Sequence, residues 1–213
     1  MDKFVLTRRN LQATTVDWVA AGKVSPVKDM LTCGASWVFA TTGAIESGYL
    51  IKNSTPVSMS EQQIMDCTLG NCSFGHLYYA FNMANTTGVT ATASYSYLGY
   101  DILMCRRSGG PIKISNFVPV ANTSCSNFIT ALTINPIPVL VAVDSSWISY
   151  ESGIKSSCTT STPNFYLLLV GVNSVAWTLK NSWGIFWGES GFIRLAPGNT
   201  CSMCQSPTYQ PVI

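Results

Sequence analysis

The spacing of apolar positions divides the chain near residue 118. Before that point, Ser36–Lys52, Ser60–Cys67 and Leu77–Asn85 carry apolar residues at helical intervals. In the first segment Trp37, Thr41, Ala44, Ile45 and Gly48 fall on one face, with Ser36 at its start. Ser60 and Gln63 have the spacing of a capping box. That predicts the Ser hydroxyl on the third backbone N–H and the Gln side chain reaching back. After residue 118 the pattern turns to short β-prone runs: Val139–Val143, Tyr166–Val172, Ala176–Lys180 and Gly191–Leu195, separated by Gly, Pro, Asn and Ser. Helices first and strands later predict an α+β chain with a cleft between its two halves.

Composition narrows the function classes. Of 213 residues only 10% are charged, against about 25% in typical soluble domains. Hydrophobic residues make up 47%, enough to offset the ordering entropy that keeps polar chains disordered. The net charge of +2 comes from scattered cations, with short pairs only at Arg8-Arg9 and Arg106-Arg107. A nucleic-acid partner is therefore not expected. Pro136 and Pro138 interrupt the longest apolar stretch, Ile129–Val143, and no run reaches the roughly 20 residues of a membrane span. Met1–Asn10 lacks the apolar core of a signal peptide, so the expectation is either that such a segment has been removed or that the chain never entered the secretory route.

Eight cysteines in a chain of low charge favour disulfides and an oxidising compartment. Sequons at Asn53, Asn71, Asn85 and Asn122 add weak support for secretion. Cys201-x-x-Cys204 could mark a redox pair or half a zinc site, but no second Cys-x-x-Cys or paired His completes it. No metal and no cofactor is expected. Tyr95, Tyr97 and Tyr100 alternate with small residues, and packing on the helical half is the preferred reading over a binding stripe.

Three stretches are more specific than any periodicity: Val16-Asp17-Trp18 through Pro26-Val27-Lys28, then Cys33-Gly34-Ala35-Ser36-Trp37-Val38-Phe39, and finally Lys180-Asn181-Ser182-Trp183-Gly184 with Trp187-Gly188-Glu189-Ser190-Gly191. Ser60-Glu61-Gln62-Gln63 and Asp66-Cys67 fall between them. Together they resemble the papain-like cysteine proteases of the cathepsin L type, over residues 14–213. The resemblance implies a single two-lobed unit over 1–213. Its parts are a mainly helical lobe over 20–118, a mainly β, barrel-like lobe over 119–213, and an N-terminal strand within 1–19 packed on the latter.

The resemblance also implies where chemistry should reside, and there the chain departs from the family. The nucleophile position holds Ser36 instead of Cys, the histidine position holds Phe165, and the oxyanion glutamine position holds Met30. Asn181, which orients the imidazole in the family, is kept, as is Trp183, which shields it. A hydroxyl is far more basic than a thiol, Phe165 accepts no proton, and Met30 donates none, leaving the Ser36 backbone N–H as the remaining oxyanion donor. The single histidine, His76, follows a segment that matches the far wall of the cleft, from which it would have to cross the channel to serve Ser36.

Phe74 stands where the family has glycine, Gly75 matches the next glycine, and Asn164 precedes the histidine position. With Phe165 thickening the floor, a filled cleft is the favoured expectation, and an apolar groove reused for binding is the other. Asp144-Ser145-Ser146-Trp147 corresponds to the cleft entrance, without chemistry. The resemblance implies disulfides Cys33–Cys72, Cys67–Cys105 and Cys158–Cys201, which leaves Cys125 with Cys204. The family's inhibitory prosegment is absent from residues 1–15.

The expectation is therefore a pseudoenzyme, a catalytically inactive homologue that binds a peptide or protein partner. Two alternatives stand beside it: a Ser36-dependent hydrolase with an unfamiliar base such as His76, and a structural component of a larger assembly. The expected location is the secretory pathway, extracellular or lysosome-like, with a cytosolic assembly component as the minority reading.

Overall fold

The computed structural model describes residues 14–102 and 104–213. Most of the N-terminal strand expected within 1–19, and the pair Arg8-Arg9, lie outside the described residues. What is described begins at β1 (Val16–Asp17), which pairs antiparallel with the far end of β5 (Phe165–Val172).

The long helix α1 runs from Ser36 to Asn53. The one-face pattern read from its sequence is too narrow, because every residue from Ser36 to Gly48 is buried. The helix lies between the other helices of the first half and strand β5, so it has no solvent face over that stretch. It ends at Ser54, in the left-handed conformation, whose N–H returns to the Leu50 carbonyl.

Helix α2 (Glu61–Cys67) starts from Ser60, whose hydroxyl accepts the Gln63 N–H at 3.0 Å. The other half of the expected capping box does not form. The Ser60 N–H bonds to the Thr90 carbonyl, and the Gln63 amide spans instead to the carbonyls of Arg107 and Gly109 and to the Thr90 N–H. Gln63 is fully buried, and these three backbone groups would have no partner without it. Helix α3 (Leu77–Thr86) completes the first half.

The second half is built on β5, whose Leu167 to Val172 are all buried. β3 (Ile137–Val141) and β6 (Trp177–Lys180) flank it antiparallel, β7 (Phe192–Leu195) follows β6, and β4 (Ile154–Lys155) adds parallel to β7. Alternation sends Leu168 and Val170 into the helical core, and Leu167 and Leu169 into a second core with Phe128, Trp147 and Ile193. Four elements escaped the pattern: the two-residue β4, α4 (Cys125–Leu132), capped by Ser124, and the strands β2 (Asn116–Val120) and β8 (Thr208–Val212), which pair with each other.

Four disulfides join Cys33–Cys72, Cys67–Cys105, Cys125–Cys204 and Cys158–Cys201, leaving no free thiol. Each is worth about 2–4 kcal/mol in typical cases. Among the described residues no helix is long and apolar enough to cross a membrane.

A buried charge cluster links the layers. Lys28 Nζ lies 2.7 Å from Glu46 of α1 and 2.5 Å from Glu61 of α2, and Thr42 donates to the same Glu61 oxygen. Burial pulls the Lys28 pKa down, but the two carboxylates outweigh it and push the group up to about 12. Glu61 is shifted upward by its own burial, as expected when two carboxylates share one ammonium. Lys180 on β6 is also buried, and among the described residues no carboxylate lies within bonding distance of it. Its ammonium donates to the Ser25 carbonyl and hydroxyl at 2.9 Å each, and burial lowers its pKa to about 8.

A lysine depressed in the folded state and normal in the unfolded one makes the unfolded chain bind more protons between about pH 8 and 10.5, so stability rises with pH there. Urea unfolding of the wild type should show this rise between pH 8 and 10, and Lys180→Met should flatten it. Parallel pH profiles for the two proteins would overturn the assignment.

Candidate functional site

Ser36 opens α1 and is buried. Its Oγ accepts a hydrogen bond from the Tyr166 backbone N–H at 3.1 Å, the bond that ties the helix start to β5. No side-chain base is bonded to the hydroxyl among the described residues. The Ser36 N–H, expected to remain as an oxyanion donor, is already bonded to the Gly34 carbonyl at 2.9 Å. That expectation is corrected, because the tight turn into the helix spends this donor locally.

Phe165 is the first residue of β5, one position before Tyr166. Its ring is half-buried and packs edge-to-face on Trp183 with centroids 5.3 Å apart, and Trp183 packs in the same way on Trp187 at 5.0 Å. Asn181 is buried beside them. Its Oδ1 accepts the Ser182 N–H at 2.8 Å, while its Nδ2 has no partner. A buried donor without an acceptor costs about 1–3 kcal/mol. Phe165, the residue at the family's histidine position by resemblance, carries no hydrogen-bond acceptor to offer this donor.

Met30 is buried in the helical core, with its N–H on the Ser182 carbonyl and its own carbonyl taking the Tyr97 hydroxyl at 2.9 Å. Leu31, a position the sequence reading passed over, adopts φ +56° and is exposed. A bulky residue is strained in that left-handed region by about 1 kcal/mol or more. Asp29 Oδ1 holds it by accepting its N–H at 2.8 Å.

The opposite wall is clamped onto α1. A Cβ added at Gly75 would lie 1.9 Å from the Trp37 indole, and one at Gly34 would lie 2.6 Å from the Cys72 carbonyl. The Cys33–Cys72 disulfide and the Cys72 N–H to Asp101 bond at 2.6 Å hold this contact. Phe74 does not fill space as the filled-cleft reading expected. Asn71 Oδ1 accepts the N–H groups of Ser73 and Phe74, and the turn so formed leaves the Phe74 ring 64% exposed. Of the two aromatics only Phe165 thickens the interior.

The remaining candidates are structurally occupied. His76 caps α3, with Nδ1 accepting the Tyr78 N–H at 3.1 Å, and it is exposed. Asn164 exchanges both side-chain bonds with the Val143 backbone. Asp144 accepts four bonds from Ser146 and Thr159, led by the Ser146 hydroxyl, which hold its pKa well below the usual carboxylate range. Tyr95 is buried with its hydroxyl on Asp66, and Tyr97 meets Phe39 edge-on. Cys33, Cys72 and Asp101 cluster closely, but both sulfurs are spent in the disulfide and are no metal ligands. Functional reading from sequence missed the Lys28–Glu46–Glu61 cluster, although Glu46 was a visible signal as the only acidic residue in an otherwise uncharged stretch of α1.

Comparison with known proteins places this geometry. The family described as papain family cysteine protease matches residues 12–211. Digestive cysteine proteinase 1 of Homarus americanus is 36% identical over 98% of this chain, which spans 70% of that protein. A cathepsin L-like proteinase of Fasciola hepatica is 36% identical over 88% of this chain, which spans 62% of that protein. The structure of bromelain from Ananas comosus with the E64 inhibitor superposes with a TM-score of 0.86 at 30% identity, covering 93% of this chain and 98% of that one. The α+β, papain-like architecture stands on these matches. They also correct the expectation that the chain is no enzyme: relatives named as proteinases match it over nearly its whole length, and that likeness supports an enzyme.

With every cysteine paired, iodoacetamide under native, non-reducing conditions should add no mass to the intact protein. A single adduct would show a free thiol and put the pairing scheme in error. Gly75→Ala should lower stability by about 1–3 kcal/mol in urea unfolding, because the indole beneath it cannot withdraw without opening the core. An unchanged midpoint would mean that the wall is not clamped as described.

Proposed function

Because the chain belongs to the papain family of cysteine proteases, we propose that it binds an extended polypeptide in the cleft beside Ser36 and that its hydrolytic chemistry runs through the Ser36 hydroxyl. The observation that carries this reading is a family frame with a hydroxyl where the resemblance puts the thiol, and with all eight cysteines held in disulfides. A thiolate mechanism has no thiol to use.

The resemblance puts an imidazole where Phe165 stands, and the nucleophile–base unit is worth about a millionfold in turnover in a comparable hydrolase. Binding is consequently the larger part of the function and hydrolysis a slow accompaniment. Exposed Phe74, next to Gly75 on the Trp37 indole, gives one wall an aromatic face for a passing peptide. The first turn of α1 offers a positive dipole end at Ser36, which favours an oxyanion there but removes no proton from the hydroxyl. The disulfide-bonded frame fits the secretory pathway, extracellular or lysosome-like.

Incubation with a diverse peptide mixture, read by mass spectrometry over a day, tests both parts. Peptides should co-purify with the protein, and Phe74→Ala should weaken their retention several-fold, on the order of one lost aromatic contact. New peptide termini should accumulate far more slowly than with an active cathepsin and vanish in Ser36→Ala. Neither retention nor cleavage would sink the proposal, and cleavage that survives Ser36→Ala would move the chemistry elsewhere.

A further inference from the structure

Arg106 and Arg107 belong to no charge run and take no part in the cleft, yet their backbone is held firmly in place. The Cys67–Cys105 disulfide anchors the preceding residue to α2. The Arg106 N–H reaches the Tyr95 hydroxyl, and buried Gln63 donates to the Arg107 carbonyl at 2.8 Å. The Arg106 guanidinium lies 4.4 Å above the Tyr95 ring, and that ring is fixed by its hydroxyl on Asp66 and its carbonyl on Ser60. Stacking of this kind orients the fork while leaving its N–H groups free at the edges.

Neither guanidinium takes part in an ion pair among the described residues. The nearby Asp66 carboxylate is committed to the Tyr95 hydroxyl and to the Gln62 amide and forms no ion pair with either arginine. Both arginines are exposed, and with Ser94, Tyr95, Ser96 and Leu98 they line a cavity of about 350 Å³. Two forks and two exposed hydroxyls around one cavity, on a backbone pinned at three points, suit a multiply charged tetrahedral group. Planar, multi-donor recognition of such groups is what arginine does better than lysine.

We propose that this cavity is an oxyanion site that takes a sulfate or phosphate group, either as the free ion or as a monoester. It is separate from the peptide cleft: none of its lining residues touches Ser36, Phe165 or Asn181. It therefore stands or falls independently of the peptide reading.

The test is heat unfolding and calorimetric titration with sodium sulfate and sodium phosphate, against sodium chloride at equal ionic strength. Sulfate or phosphate should raise the midpoint saturably while chloride does not, and Arg107→Gln should cut the affinity by about tenfold, the loss expected for a charge-assisted contact. Arg107 is joined to the fold through its carbonyl, so that variant keeps its structure. Arg106→Lys retains the charge but loses the fork and should fall between the two. O-phosphoserine and tyrosine O-sulfate peptides then separate the sources: tighter binding of either points to that ester, and binding no tighter than the inorganic ions points to the free ion. An equal effect of chloride, or an Arg107→Gln protein that responds to sulfate like the wild type, would overturn the site.

Discussion

The architecture depends on burying a helix that is not wholly apolar. From Ser36 to Gly48 every residue of α1 is buried, so its polar groups call for partners inside, and among the described residues only the Ser47 hydroxyl on this stretch lacks one. Glu46 is the costliest of these, and it is answered by Lys28 from the segment that precedes the helix. Lys28 in turn brings in Glu61 from α2, and Thr42 completes the set. Removing Lys28 would leave two buried carboxylates without a counter-ion, at about 3–5 kcal/mol. Asn135 reaches the Ala44 carbonyl from the other half at 3.0 Å. The path of residues 23–30, the start of α2 and the seating of the sheet are all set by what this helix requires.

The candidate site inherits its geometry from the same packing. Ser36 lies where the helix start meets β5, and its hydroxyl closes that junction by accepting the Tyr166 N–H. Asn181 follows the buried Lys180 and is carried to the junction by β6. Because side chains alternate along β5, Tyr166 and Leu168 serve the helical side, while Phe165 is free to turn toward Trp183. A ring there is compatible with the packing but mute in hydrogen bonding, and the Asn181 Nδ2 has no partner. The frame tolerates that loss because its stability is drawn from the helix and the disulfides.

Much of this was legible in the chain. The helical intervals located α1, α2 and α3 to within a residue or two, and the β-prone runs located β3, β5, β6 and β7 of the main sheet but not the two-residue β4, because burial on a fixed period writes itself into composition. Strands β2 and β8 left no comparable mark. They alternate weakly, and Pro119 and Pro211 interrupt them, so their pairing depends on partners far apart in sequence. Helix α4 is short, and its Ser124 cap was the only local signal. The expected reach of Gln63 back to Ser60 failed because a local rule lost to three distant backbone groups with a stronger claim on that amide. Around the site, the resemblance proposed which residues stand at the family's positions, but nothing in the sequence said what they bond. That the Ser36 N–H is spent on Gly34, or that Phe74 turns outward, follows from turns whose geometry single residues do not announce.

Likeness to named proteinases and the chemistry around Ser36 bear on different atoms. An identity near one third spread over nearly the whole length, with a close structural match, reports on the frame. Rate reports on the few atoms that move a proton. Exchanging thiol for hydroxyl shifts the difficulty from stabilising a thiolate, which a helix dipole assists, to removing a proton from a far weaker acid, which it does not. The protein side supplies a fixed alcohol, a positive helix end and an aromatic floor, and no bonded base. On the reading proposed above, an acceptor for that proton arrives with the substrate or as water, and the fold contributes most through how it holds the polypeptide.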